Sequence, residues 1–291
     1  MPRLIMLPVI MREYFGERSL PREPEPDLVM GDADQVAAYT EAGRIDGVMA
    51  AAYLFHSARV TQVIHGCKKV LDLACGPATQ LAQIAGLNPD IEFLGIELSE
   101  EMLNQARKHV QDMGLKNVGF MQADMTDLNQ IPPASVDGVI STMALHHLPT
   151  FAHLEKCFGE IRRVLKPDGA LYLVDFGRLK MLRSVIYFAY MNTAFQPHIF
   201  SLDYERSLRA AFLKEEFAQL TRETLGDTYQ VFPTFLMPIL VLMKSADRLD
   251  RTAVSDRFKT MRDQLPRRYR QDLDDIRQLF RLSGLNNDPF S

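Results

Sequence analysis

Five polar side chains stand at the carboxyl ends of short apolar runs in the middle of the chain. They are Asp72, Glu97, Asp124, Ser141 and Asp175. The carboxyl ends of parallel strands meet at one edge of an open α/β sheet, which is where ligands bind, so this register predicts a binding site at that edge. For any one of these five residues, solvation of a loop is the simpler explanation. Five polar residues at equivalent positions, however, favour a binding site.

The turn after the first run limits what such a site can bind. Residues 70–79 combine a strand, a tight turn of small residues and a helix start, and Gly76 allows a ligand to approach the backbone closely. Dinucleotide binders use a similar turn, but they place a pyrophosphate at the helix N-terminus, and the carboxylate of Asp72 would repel it. A ligand with a positive charge would be attracted instead.

Alternating strand and helix patterns from Lys68 onward predict a parallel sheet with crossover helices. Gly114 stands where a helix C-cap belongs, and the tetrad 166–169 is a strong turn signal. Residues 229–243 are interpreted as two final strands at an antiparallel end of the sheet. The five apolar runs are 70–73, 91–96, 118–121, 136–140 and 170–174.

These residues together resemble the class I S-adenosylmethionine-dependent methyltransferases, in particular the small-molecule branch that includes the ubiquinone and menaquinone biosynthesis enzymes. The resemblance covers roughly residues 66–176. Within the glycine-rich loop, which matches residues 72–78, Ala74 and Ala78 stand where glycines are commoner. S-adenosylmethionine carries an ammonium and a sulfonium and no phosphate, so an acidic turn suits it.

The resemblance implies an α/β fold with a Rossmann-like, seven-stranded, mostly parallel sheet and helices on both faces. It implies S-adenosylmethionine as cofactor and S-adenosylhomocysteine as product. Glu97 is expected to accept hydrogen bonds from both ribose hydroxyls and Asp124 from the adenine amine, with Leu98 and Met125 beside the adenine ring. The expected cofactor-binding residues are Asp72, Ala74, Gly76, Glu97, Leu98, Asp124, Met125 and Ser141.

The histidines His146 and His147 follow the fourth run and are candidate catalytic bases, because imidazole titrates near neutral pH. Methyl transfer from a sulfonium is a direct displacement, and a hydroxyl or carbon acid acceptor must also lose a proton. A histidine pair here occurs in family members with different acceptors, so shaping of the loop stays an alternative. No metal is expected: the three cysteines have no CxxC spacing, and no zinc site is indicated.

An insertion rich in aromatic residues and Met, residues 179–228, is expected to cap the sheet edge and wall an apolar acceptor pocket. Packing on the sheet alone is the other interpretation, and both can hold. A nucleobase amine acceptor and a thiol mechanism are disfavoured, since no Asn-Pro-Pro-Tyr segment and no cysteine cluster occur. The expected pocket residues are Asp175, Tyr187, Tyr190, Met191 and Tyr204.

The chain is expected to divide into three parts. Residues 1–65 form an N-terminal helical extension with a Pro-rich stretch, and residues 66–244 form the methyltransferase core with its cap. Residues 245–291 form two amphipathic helices broken at Pro266. The simpler expectation is that these helices pack on the core. The more specific hypothesis is that the extensions form a homodimer interface.

Composition excludes several classes of protein. The 291 residues, 47% hydrophobic and 24% charged, are typical of a globular protein, and a net charge of −4 gives no basic field for nucleic acid. Three cysteines fit a reducing compartment, here the cytoplasm. Residues 4–11 are too short and lack the cleavage pattern for a signal peptide, and residues 184–202 are too polar for a membrane span, which predicts a helix pair.

The sequence therefore predicts a cytoplasmic S-adenosylmethionine-dependent methyltransferase for a small, largely apolar acceptor, with oxygen or carbon ahead of nitrogen or sulfur as the methylated atom. Two alternatives stay open. A non-catalytic S-adenosylmethionine-binding module with a partner-recruiting tail would bind cofactor without turnover. A nicotinamide oxidoreductase is the third reading, which Asp72 argues against.

Overall fold

The computed structural model describes residues 3–26 and 47–291. A single seven-stranded sheet organises the described chain, in the order β3-β2-β1-β4-β5-β7-β6. Strands β1 to β5 are parallel, and β7 runs antiparallel to both β5 and β6. The strands are β1 Lys69–Leu73, β2 Glu92–Glu97, β3 Val118–Gln122, β4 Val136–Thr142, β5 Leu165–Phe176, β6 Gln230–Pro233 and β7 Leu240–Lys244.

Ten α-helices lie in the described ranges and cover both faces of the sheet. One helical turn, Leu145–His147, follows β4 directly. The α-helices are α1 Leu7–Phe15, α2 Ala50–Val63, α3 Thr79–Leu87, α4 Glu100–Asp112, α5 Phe151–Val164, α6 Leu182–Tyr190, α7 His198–Ala210, α8 Lys214–Leu220, α9 Ser255–Gln264 and α10 Arg267–Leu282.

Side chains that alternate along each strand build two core layers, as a pleated strand requires. In β1, Val70 packs in the layer that contains α2 and α3, whereas Leu71 packs in the layer that contains α5 and α8. In β5, Tyr172 and Leu173 divide in the same way. Burial on both faces explains why the strands appear in the sequence as continuous apolar runs.

The predicted strands and the α/β class are confirmed, with one local difference. Gly114 lies at φ 66° just after α4, as the C-cap prediction requires. The tetrad 166–169 was expected to be a turn before the fifth strand, but it lies within β5 as a bulge, because Val136 pairs with Leu165 and Gly138 with Ala170.

The C-terminal helices pack against α2. Phe280 of α10 stacks on Phe55 with ring centroids 5.4 Å apart, and Arg59 donates hydrogen bonds to the carbonyls of Asn286 and Asn287. The break between α9 and α10 falls at Pro266, as predicted. Docking on the core is therefore observed, whereas a homodimer stays a prediction.

Residues 184–202 contribute to the helix pair α6 and α7, in agreement with the sequence prediction. In the part of the chain that the structure describes, no helix is long and apolar enough to cross a membrane. The predicted N-terminal helical extension, residues 1–65, lies partly outside the described residues, and within it the structure has α1 and α2, which begins at Ala50.

Candidate functional site

The strand order reverses between β1 and β4, and a cavity of about 200 Å³ opens at the carboxyl ends of these strands. In open α/β sheets this switch point is the usual ligand site. Seven of the eight residues expected to bind the cofactor line this one cavity: Asp72, Ala74, Gly76, Glu97, Leu98, Asp124 and Met125.

The turn between β1 and α3 has an unusual backbone. Ala74, Gly76 and Ala78 lie at φ 54°, 54° and 59°, the left-handed region that favours glycine. A side chain in this region costs about 1–2 kcal/mol, so the two alanines hold the loop in the conformation that glycine would adopt without strain. A Cβ added at Gly76 would meet no atom within 4 Å, which leaves its backbone open to a ligand.

Asp72 is buried at the floor of this cavity. Burial, together with the charge of Glu97, raises the pKa of Asp72 to about 8. A buried carboxylate without a cationic partner is unfavourable, so a positively charged ligand beside it would stabilise the ionised form. The electrostatics therefore agree with the sequence argument for a cationic ligand.

Glu97 ends β2 and ties that strand to the turn. Its Oε2 accepts a hydrogen bond from the Gly76 amide at 3.0 Å, and its Oε1 accepts from the amides of Leu98 and Ser99 at 2.9 Å each. Asp124 is exposed, and its Oδ1 accepts from the Thr126 amide at 2.7 Å. These bonds fix both carboxylates at the rim of the cavity.

Ser141 differs from its expected place. It is fully buried, and its Oγ donates to the carbonyl of Leu73 at 3.0 Å, so it ties β4 to β1 and does not line the cavity. The next residue, Thr142, does line it and donates to Oε1 of Gln80 at 2.9 Å. Alternation along β4 turns neighbouring side chains to opposite faces, which explains the difference.

The two histidines sit in a hydrogen-bonded network after β4. His146 is buried, and its Nδ1 donates to Oδ1 of Asp175 at 2.7 Å. Burial lowers the pKa of His146, but the charge and hydrogen bond of Asp175 and the charge of Glu25 outweigh burial, so the net shift is upward. Nε2 of His146 lies 4.0 Å from Oε1 of Glu25.

Glu25 reaches this network from the N-terminal Pro-rich stretch. Its Oε2 accepts a short hydrogen bond from Nδ1 of His147, and its Oε1 accepts from Oγ of Ser207 at 2.8 Å. Burial raises the pKa of Glu25, but the bonds and charges of the histidines outweigh it and lower the pKa to about 2. Glu25 is therefore a carboxylate that faces both histidines.

Arg22 holds the Pro-rich stretch against the loop that carries the histidines. Its guanidinium donates to the carbonyls of His146, Leu148 and Pro149 at 3.2, 2.6 and 2.5 Å, and it stacks 3.8 Å above the ring of Phe212. Because these bonds join segments more than 120 residues apart, they position Glu25 over the histidine pair.

Glu25, His146 and His147 could also hold a metal ion, because one ligand atom from each lies within 4.8 Å of the others. Their hydrogen bonds with Asp175, Ser207 and each other already satisfy most of these atoms.

A second cavity of about 230 Å³ lies beside the first, and its walls are mainly apolar. Met143 and His147 line both cavities, whereas His146 lines only the second. Of the expected pocket residues, Met191 and Tyr204 line this cavity. Its other apolar walls include Met6, Ala52, Phe176, Phe188, Phe200 and Leu279.

Three expected pocket residues lie elsewhere. Asp175 is fully buried behind His146, and its carboxylate accepts bonds from His146 and from the Phe176 amide, so it does not reach the cavity. Tyr187 packs against the hydrophobic core, and the hydroxyl of Tyr190 donates to Glu205 at 2.9 Å. These two rings therefore support the cap instead of facing the second cavity.

Several cavity and network residues were missed in the sequence, namely Arg22, Glu25, Gln80, Thr142 and Met143. The spacing of Pro21, Pro24 and Pro26 is typical of an extended segment that exposes the residues between the prolines, and it was the one signal for Glu25. Thr142 and Met143 directly follow Ser141, but the orientation of their side chains cannot be read from spacing.

Comparison with known proteins agrees with this geometry. Residues 64–217 match the protein family described as "Methyltransferase domain". Demethylmenaquinone methyltransferase of Thermus thermophilus is 33% identical over 109 residues, 38% of this chain and 47% of that protein. Trans-aconitate 2-methyltransferase of Methylobacterium nodulans is 34% identical over 103 residues, 35% of this chain and 36% of that protein. The chain thus spans less than half the length of either.

A solved structure has the same fold. The plantazolicin methyltransferase BpumL in complex with SAH is 15% identical, with a TM-score of 0.53 over 81% of this chain and 94% of that one. The family match covers β1 to β5, the turn after β1 and the histidine segment, which are the residues that carried the sequence resemblance. The chain therefore belongs to the methyltransferase domain family, with the fold of the class I S-adenosylmethionine-dependent enzymes.

Proposed function

We propose that this chain transfers the methyl group of S-adenosylmethionine to a small, largely apolar acceptor. The observation that carries the proposal is the shared wall of the two cavities, formed by Met143 and His147. A direct displacement needs donor and acceptor in line and in contact within a water-poor site. Two adjoining cavities, one with Asp72, Glu97 and Asp124 in its lining and one with mainly apolar walls, support that arrangement.

In this proposal the first cavity holds the cofactor. Asp72 faces the ammonium of the methionine part, Glu97 the ribose, and Asp124 the adenine amine, with Leu98 and Met125 beside the ring. The pKa of Asp72, raised to about 8, supports a cationic partner, and the open backbone of Gly76 supports close approach of the ligand. The bound cofactor supplies the electrophilic methyl group.

The second cavity takes the acceptor, and His146 is the favoured base. Asp175 orients the imidazole through Nδ1, so Nε2 is the atom left to take a proton from an acceptor hydroxyl or carbon acid. His147 lines both cavities and is held by Glu25, which suits a role in positioning the acceptor beside the methyl group. Oxygen or carbon is the proposed methylated atom.

Two relatives support a small-molecule acceptor, since one is named for demethylmenaquinone and one for trans-aconitate. The mainly apolar walls of the second cavity favour the less polar kind of acceptor. We also propose a cytoplasmic location and a homodimer. The proposed division of the chain is into residues 1–65, 66–244 and 245–291.

A non-catalytic binding module is the competing function, and turnover separates the two. The full chain is incubated with methyl-labelled S-adenosylmethionine and a solvent extract of small apolar metabolites, and both labelled solvent-soluble product and S-adenosylhomocysteine are measured. We expect both to form, and to be lost in the Asp72→Ala variant. Tight cofactor binding by calorimetry without formation of S-adenosylhomocysteine would favour the binding module.

A further inference from the structure

Helix α1 carries apolar residues on two faces. Val9 and Ile10 are buried against the rest of the chain, as is usual for a packed helix. A second stripe, Leu7, Met11, Tyr14 and Phe15, follows the spacing i, i+4, i+7 and i+8 and is between 45% and 71% exposed. Packing within the described residues explains the first face and leaves the second unexplained.

Helix α6 lies against α1 and also carries exposed apolar side chains. A Cβ on Gly16, at the end of α1, would collide with the side chain of Met181, and Oε2 of Glu13 accepts from the amide of Lys180 at 2.7 Å. Leu182 and Ile186 of α6 are 42% and 40% exposed. We define the α1–α6 surface as Leu7, Met11, Tyr14, Phe15, Leu182 and Ile186.

The charges around the α1–α6 surface are mainly positive. Residues 3–18 and 178–202 contain two acidic residues, Glu13, which is buried, and Glu17, which is exposed. Arg12, Lys180 and Arg183 lie beside the apolar stripe, and the described residues offer them no ion-pair partner; Nζ of Lys180 donates only to backbone carbonyls. The chain carries a net charge of −4, so this basic region contrasts with the whole.

The same two helices border the apolar cavity. Arg3 and Met6, just before α1, line that cavity, and so do Phe188 and Met191 at the end of α6. The segments that carry the exposed apolar surface thus also contribute residues to the cavity lining.

We propose that the α1–α6 surface binds the face of an anionic lipid bilayer. An apolar stripe flanked by arginine and lysine is the pattern of helices that lie in the membrane interface, where acyl chains take the apolar side chains and lipid phosphates attract the cations. This binding is independent of methyl transfer; entry of an acceptor from the bilayer into the cavity rests in addition on the proposed function.

The test measures sedimentation of the full chain with vesicles of phosphatidylglycerol and phosphatidylcholine at a 1:1 ratio, and with vesicles of phosphatidylcholine alone. We expect binding to the anionic vesicles, at least tenfold weaker binding to the neutral ones, and a decrease when salt is raised from 50 to 500 mM. No binding to the anionic vesicles would overturn the proposal.

Two variants locate the surface. Phe15→Glu combined with Ile186→Glu is expected to reduce vesicle binding at least tenfold, whereas Met113→Glu, at a residue that is 49% exposed after α4, is the matched control. Arg183→Glu is expected to weaken binding to anionic vesicles several-fold, and Lys108→Glu on α4 is not. Circular dichroism and cofactor affinity establish that each variant is folded.

The α1–α6 surface could also be covered by a second copy of the chain, and the test must distinguish this dimer from binding to a bilayer. Light scattering of the free protein at the concentrations of the vesicle assay gives its mass with and without the two Glu substitutions. If the substitutions convert a dimer into a monomer, or if the control variants lose vesicle binding equally, the membrane assignment is overturned.

Discussion

Nδ1 of His146 donates a hydrogen bond of 2.7 Å to Asp175, and this bond leaves Nε2 as the proton acceptor next to the apolar cavity. Asp175 also accepts from the backbone amide of His146 at 2.9 Å, so one carboxylate fixes both the loop and the imidazole ring. A buried carboxylate that orients a histidine in this way sets its tautomer and its basicity.

The first prediction concerns this pair. In Asp175→Asn the imidazole loses its nearby negative charge while burial, which lowers its pKa, remains, so the pKa of His146 should fall. Histidine side-chain NMR measures it. Asp227→Asn, at an exposed position, should leave that pKa unchanged.

If His146 is the base, methyl transfer in the native protein should rise with pH, because only neutral imidazole accepts a proton, and its raised pKa places the rise above the ordinary histidine value. In Asp175→Asn the rise should occur at lower pH and the maximal rate should fall. An identical titration in both proteins would contradict the orienting role of Asp175.

The second prediction concerns Glu25, whose partners His147 and Ser207 lie 122 and 182 residues further along the chain. Glu25→Gln should lower the free energy of unfolding by about 1–2 kcal/mol at pH 7, because the ionised bond to His147 is lost. A carboxylate whose pKa is lowered by folding stabilises the folded state at pH values above its ordinary pKa. For Glu25 this stabilisation is lost as the pH falls toward about 2. The difference between the two proteins should therefore shrink by pH 3.

Urea unfolding at both pH values measures the effect of Glu25→Gln. Glu17→Gln, at an exposed residue of the same stretch, is the control and should change the free energy of unfolding by less than about 0.5 kcal/mol. Equal effects of the two substitutions would show that the bond between Glu25 and the histidine network does not stabilise the fold.

The third prediction tests the division of labour between the cavities. Ala52 of α2 is half-buried and lines only the apolar cavity. Ala52→Phe should fill part of that space, reduce binding of an apolar fluorescent dye at least about tenfold, and change cofactor affinity less than about twofold. Ala52→Ser, which adds little volume, should keep both affinities. Loss of cofactor binding together with dye binding would mean that the cavities are not separate sites.

The fourth prediction treats the C-terminal helices as part of the same folding unit. Phe280 is fully buried and stacks on Phe55, so Phe280→Ala should cost about 3–5 kcal/mol in the free energy of unfolding. Leu282→Ala, at a residue that is 49% exposed, should cost less than about 0.5 kcal/mol. Two separate unfolding transitions, with β1 to β5 unaffected, would show that the tail folds independently.

Local patterns made the first cavity predictable from the sequence. Asp72 and Glu97 lie at the ends of strands, and Gly76 follows one. The apolar runs of these strands are continuous because both faces are buried, and the parallel sheet brings the strand ends together. The family resemblance also marked Ala74 and Ala78 as positions where glycine is commoner, and their positive φ values explain that preference.

The second cavity depends on long-range contacts that spacing does not encode. Asp175 was correctly placed at a strand end, but whether its side chain faces acceptor or histidine depends on the turn 145–147. Glu25 reaches the site through bonds of Arg22 to distant carbonyls. Tyr190 was expected to face the acceptor, yet its hydroxyl pairs with Glu205 of the neighbouring helix.

Calorimetric titration with S-adenosylmethionine tests the central claim most directly. We expect Asp72→Ala and Glu97→Ala each to weaken binding at least about 100-fold, whereas the exposed control Asp112→Ala binds normally. In the protein without cofactor the pKa of Asp72 is about 8, so this carboxyl group is mostly protonated at pH 7. Binding of the cationic cofactor should therefore release a proton from the native protein, which is measured as a binding enthalpy that varies with the buffer. Unchanged affinity in both variants, with no buffer dependence in the native protein, would contradict the assignment of this cavity to the cofactor.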